Sequence, residues 1–159
     1  MTGAAGATLI GLLFVTVTLV SGLSRSQSTA GIRAFLTPTL LNFSSVLFQA
    51  LVVLASWPSN RAAGVFFILT GLASLAYRIS IMRFKRALDF IDVQPYDWIP
   101  YDAIPMLGSM SLIAGGAGLL IGSSFAPYAI AAASILLLAG GVYGAWDLTL
   151  WMITNRKDT

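Results

Sequence analysis

Five stretches of this chain run for about twenty residues with almost no charge, and that feature decides the solvent in which it folds. They are Gly3–Leu23, Ala34–Trp57, Ala62–Met82, Ala103–Gly122 and Tyr128–Ile153. As helices rising about 1.5 Å per residue, such runs cross a hydrocarbon core of about 30 Å. Lipid offers the backbone no hydrogen bonds, so open strands are excluded. The lack of period-two alternation argues against a barrel. Composition agrees, with 57% of residues apolar and 9% charged, whereas soluble domains carry about 25% charged residues. The expected fold class is all-α: a polytopic membrane protein, residues 1–159 forming one domain, a single bundle of five transmembrane helices. The first run has no basic leader and exceeds the roughly 7–15 apolar residues of a signal peptide, so it is read as a span.

Basic residues orient the bundle. Arg25, Arg33, Arg83, Lys85, Arg86, Arg156 and Lys157 fall on one side of a five-pass arrangement, and Arg61 alone on the other. Cytoplasmic loops carry the excess of Lys and Arg, which places the N-terminus outside and the C-terminus inside. Helix boundaries fit the same count. Trp57-Pro58 stops the second run, because the residue before proline is pushed out of the α region. Ser123–Pro127 is a short stop and restart that makes runs four and five antiparallel neighbours. Thr37-Pro38 reads two ways. The preferred one makes Thr37 an N-cap with Pro38 at the first helical position and Ala30–Leu36 in the interface; the other is a kink within a longer helix beginning near Thr29. No period halves the chain, so an inverted-repeat transporter lacks support.

Histidine and cysteine are absent, and glutamate does not occur. This excludes disulfides, Cys/His zinc sites, His-ligated haem and Cys-ligated iron–sulfur clusters. It also removes the commonest general base. No cofactor, no metal site and no catalytic residue is expected, and an enzyme is not the reading of choice.

Several features can still carry function. Small residues recur at helix-packing intervals at Ala7 and Gly11, at Ala114, Gly118 and Gly122, and at Gly140 and Gly144. They suit close packing within one bundle or a subunit interface. Asn42, Ser45 and Gln49 share a face of the second helix, with Ser56 in line. Their amides are costly in hydrocarbon, so the face serves as interhelical glue or as a polar pore lining.

Asp147 is the only acid inside a span and Arg78 the only base. Measured from the cytoplasmic end they lie level to within about half a helical turn. An intramembrane charge pair is expected, with ion handling by Asp147 or a wet interfacial position as alternatives.

Prolines 95, 100 and 105 keep PYDWIPYDAIP (95–105) from being a regular helix. Tyr96, Trp98 and Tyr101 suit headgroup depth. Asp97 and Asp102 then face water, cap the fourth helix near its N-terminus, or, repeated around an axis, form a cation-gathering acidic vestibule. Arg83, Lys85 and Arg86 are positive-inside anchors or contacts for anionic lipid headgroups. A nucleic-acid partner is not expected.

At GLLFVTVTL (11–19), FLTPTLLNFSSVLFQALVVLASWPS (35–59), SFAPYAIAAASILLL (124–138) and YGAWDLTLW (143–151) the chain resembles small multi-pass proteins of bacterial inner membranes. The resemblance implies an inner-membrane location, and no activity comes with it. The functional expectation is an oligomeric channel or permeation protein for ions or small solutes. The alternative is a non-catalytic accessory or scaffold subunit of a larger membrane assembly. Its partners are then the lipid bilayer and either further copies of itself or other membrane subunits.

Overall fold

The computed structural model describes residues 1–23, 29–87 and 102–154 of the chain. Five helices follow one another: α1 (Thr2–Leu23), α2 (Thr29–Leu54), α3 (Asn60–Ala87), α4 (Ile104–Leu120) and α5 (Ala126–Thr154). Three segments, Leu36–Leu54, Asn60–Ser80 and Ala126–Leu150, are long and apolar enough to cross a membrane. Thr2–Thr18 and Ile104–Leu120 are apolar but shorter.

The surface is that of a protein solvated by lipid. Leu54, Leu69, Ile121, Phe125 and Ile135 are all well exposed, on a scale that a soluble monomer rarely tolerates. Hydroxyl groups on these helices are made compatible with hydrocarbon by their own backbone. Thr8 donates to the Ala4 carbonyl (2.9 Å), Ser45 to Leu41 (2.6 Å), Thr70 to Phe66 (2.7 Å) and Thr149 to Ala145 (2.9 Å), the one-turn-back bond open to Ser and Thr.

Neighbouring helices are antiparallel and pack in the lateral order α3, α4, α5, α2, α1, while α2 and α3 touch only sparingly. Without a hydrophobic drive between helices, close backbone approach supplies the dispersion energy. A Cβ placed on Gly116 would lie 2.7 Å from the Gly64 carbonyl oxygen, and one on Gly115 would meet Ile130 Cγ1 at 2.6 Å. Gly140 and Gly144 face Pro105 and Thr39 in the same way. These glycines serve packing inside the bundle. Gly11, beside the exposed Ala7, has nothing within 4 Å. Two apolar centres result. Val52, Phe67, Leu112 and Ala133 join α2, α3, α4 and α5, and Leu13 and Leu148 join α1 to α5 with Leu36 and Leu40 of α2 against them.

The tight turns are locally encoded. After α4, Gly122 adopts φ +70°. Ser123 N–H then donates to the Gly118 carbonyl (2.8 Å) and Gly122 N–H to Leu119 (3.4 Å), the paired bonds of a Schellman ending that needs a left-handed residue. At the other turn Ser59 Oγ accepts from Ala62 N–H (3.3 Å) and caps α3. Trp57 Nε1 donates to the Val52 carbonyl (2.6 Å) near the end of α2.

One expectation is corrected. α2 does not start at Pro38: the helix is continuous from Thr29 with Pro38 inside it. A proline within a helix forfeits one backbone bond, a loss that packing on a neighbour can make good in a membrane bundle, and Thr39, next in sequence, is buried against Gly144 of α5. At the start of α4, Asp102 immediately precedes the N-cap residue of the helix. Its N-cap is Ala103, with no side-chain cap and Pro105 in the first turn.

Candidate functional site

The sparse contact between α2 and α3 leaves a cleft of about 300 Å³ between them, at the small end of the size range for ligand sites. Its rim is made by Leu41 and Phe48 of α2 and Ala73 and Tyr77 of α3, all exposed, and its floor by Gln49, Ser109, Leu112 and Leu137, all buried. An exposed rim over a buried floor means that the cleft opens sideways, between the two helices, onto the lipid-facing flank. Toward the 55–59 turn the rim residue Phe48 meets Phe66, whose ring lies 5.3 Å from Phe48 and 5.6 Å from Trp57, centroid to centroid.

At the other end it is closed by a charge. Arg78 of α3 reaches across and donates from one terminal nitrogen to Asn42 Oδ1 of α2. Asp102, at the approach to α4, interacts with the same guanidinium electrostatically. The pairing with Asp147 expected from matched depth is not among the contacts described for Arg78. Asp147 itself is half-buried and has an interaction partner.

The polar face of α2 is turned into its own chain. Asn42 and Gln49 are each only 3% exposed. Gln49 Oε1 accepts from Ser134 Oγ of α5 (2.8 Å), whose single hydroxyl hydrogen is shared with the Ile130 carbonyl (3.2 Å). Ser45 lines the cleft with its hydroxyl bound to its own helix. Ser74 and Ser109 share a hydrogen bond of 3.0 Å across α3 and α4, and Ser109 also donates to the Pro105 carbonyl. Two donors on cleft-lining side chains are fully buried without a partner, Gln49 Nε2 and Arg78 Nε. Such groups normally have partners, because leaving one unmade costs about 1–3 kcal/mol.

Among the remaining sequence-derived candidates, Arg83 is exposed near the end of α3. The side chains of Lys85 and Arg86, and all of Asp97 with most of PYDWIPYDAIP, lie outside the described residues. Among the described residues no group of three or more His, Cys, Asp or Glu side chains could hold a metal ion.

The serines and threonines of α3 and α4 were missed in the sequence. Ser74 and Ser109 carry no periodic signal separate from the ordinary helix-compatible hydroxyls around them, and only the packing of α3 on α4 brings them together. Comparison of the chain with known protein families, characterised proteins and solved structures finds no match.

Proposed function

We propose that this small integral membrane protein is a non-enzymatic permeation protein, admitting an ion or small solute to the cleft between α2 and α3. In this reading all five helices span a bacterial inner membrane, N-terminus outside and C-terminus inside. The path belongs to the single chain. Asn42 and Gln49 are buried within the protomer and Ser45 lines its cleft, so in this reading a pore on an axis between copies would be lined by some other face. The observation that supports the reading most is the unpartnered Gln49 amide at the floor of a laterally open cleft. A polar donor kept there at a cost suits a transient guest better than pure packing, which an apolar side chain would serve more cheaply.

The accessory-subunit reading has one observation of its own: Ala7 and Gly11 present a small-residue stripe on α1 with open space beside Gly11. Reconstituted flux separates the two. Purified protein in phosphatidylcholine liposomes is expected to release entrapped small solutes faster than empty liposomes, and Ala73→Trp, which fills the rim, is expected to abolish the difference. A protein that passes no ion or solute belongs to the accessory class.

A further inference from the structure

We propose that the guest of this cleft is a single-chain anionic amphiphile: an oxyanion head at Arg78, an ester carbonyl at Gln49, and an acyl chain leaving sideways between α2 and α3.

Each part answers a feature of the site. Both unpartnered groups are buried donors on cleft-lining side chains, Gln49 Nε2 and Arg78 Nε, so a guest that draws these side chains into the cleft must supply acceptors. They belong to different depths, because Asn42, which holds Arg78, and Gln49 lie seven residues or about 10 Å apart along α2. One compact anion cannot serve both, and a molecule carrying two separated acceptor groups can. Arg78 presents its guanidinium beside the headgroup-depth end of α3, where a phosphate or carboxylate gains a charge-assisted bond. Asp102 offsets part of that charge and so disfavours cations less than a lone arginine would, which makes the match at Gln49 the more decisive one.

The walls are otherwise apolar, with Leu41, Phe48, Leu112 and Leu137 lining the space between the two donors. About 300 Å³ holds a head, a linker and the first part of a chain, and not a whole lipid. The remainder of the chain has an exit. The rim residues Leu41, Phe48 and Tyr77 are exposed at 38%, 42% and 37%, and the flank beyond them is lipid-facing. A lipid arrives from that direction.

The inference rests on the cleft being the working site, and equilibrium binding tests it apart from permeation. Protein in phosphatidylcholine nanodiscs is titrated with 1-oleoyl-glycerol 3-phosphate, its uncharged counterpart 1-oleoyl-glycerol, chain-free glycerol 3-phosphate, and the alkyl-ether analogue that lacks the ester carbonyl. The ester phosphate is expected to bind most tightly. Removing the phosphate or the chain is expected to lower affinity at least tenfold, the scale of a hydrogen bond to a charged group. Replacing ester by ether is expected to lower it roughly three- to tenfold, the scale of one neutral bond.

Gln49→Leu is the informative variant. It folds, because Ser134 keeps the Ile130 carbonyl as acceptor, and it removes an unpartnered buried amide. It is expected to bind the ester and ether ligands equally and weakly. Arg78→Lys is expected to retain discrimination between charged and uncharged ligands, and Arg78→Met to lose it. If 1-oleoyl-glycerol binds as tightly as its phosphate, or if Gln49→Leu still distinguishes ester from ether, the assignment is overturned. Binding without solute flux would sink the permeation reading alone, and flux without binding would sink this one alone.

Discussion

The backbones of α3 and α4 come close at Gly64 and Gly116, and the energy of that contact can be worked out. In Gly116→Ala the new Cβ would lie 2.7 Å from the Gly64 carbonyl oxygen, 2.9 Å from Ile68 Cγ1 and 3.0 Å from Ile68 N. Two of these three atoms are backbone, so a rotamer change cannot relieve the overlap and the helices must part. Ordinary contact begins at 3.4 Å, so the separation needed is about 0.7 Å, the difference from 2.7 Å. A gap of that size forfeits roughly a third of each dispersion contact of about 0.15 kcal/mol; over about 40 atom pairs the loss is about 2 kcal/mol. Alanine returns up to about 1 kcal/mol through its higher helix propensity. The net cost is about 1–2 kcal/mol, within the range for overpacked cores.

Gly11→Ala is the matched control. It is the same chemical change on another helix, with nothing within 4 Å of the new atom, so only the propensity gain remains. Thermal unfolding in detergent micelles, followed by circular dichroism, reads both. On the scale of about 2–4 °C per kcal/mol for chains of this size, Gly116→Ala should lower the midpoint by about 2–8 °C, and Gly11→Ala should leave it unchanged or raise it by up to about 4 °C. Gly64→Ala meets the Gly116 carbonyl oxygen at 2.8 Å, so the double variant should cost less than the two single ones together, because the first substitution has already separated the helices. Equal shifts at positions 11 and 116 would refute the account of α3 against α4.

Cysteines placed at Ser26, Gln94 and Asn155 are expected to be shielded from an impermeant external thiol reagent in intact cells, while those at Asn60 and Ser124 react; external labelling at Gln94 would reverse the orientation. Asn42→Leu and Arg78→Met are each expected to destabilise by about 1.5–3 kcal/mol, since each strands one partner of a hydrogen bond to a charged group. The double variant should recover part of that loss in the same unfolding assay, and strict additivity would show that the two side chains do not depend on each other.

The lipid solvent, five helices and the short turns were legible because each is written locally. An uncharged run of about twenty residues has few ways to fold, and Gly122 with Ser123 encodes a helix ending without help from distant residues. Pro38 was misjudged because the rule that proline opens a helix is a statement about an isolated backbone, and packing of α2 on α5 overrides it. Arg78 illustrates the larger limit. Depth along a helix can be counted in the sequence, and it sets Arg78 level with Asp147. Lateral order cannot be counted, and it is the order α3, α4, α5, α2 that sets Arg78 across a cleft from Asn42 and within reach of Asp102.

The same reasoning explains why the candidate site was half visible. The face of Asn42, Ser45 and Gln49 is a matter of helical spacing and stands out in the sequence, but spacing does not say which of its groups are used up. In the folded chain Ser45 is bound to its own helix, Asn42 holds the arginine, and the Gln49 carbonyl accepts from Ser134. What distinguishes the cleft is the remainder, one amide donor and one guanidinium nitrogen left over after those bonds are made. In water such a remainder would be met by solvent and would mean little. Between two helices that face lipid, no solvent is at hand to meet it, and a guest bearing oxygen acceptors is the chemistry that would.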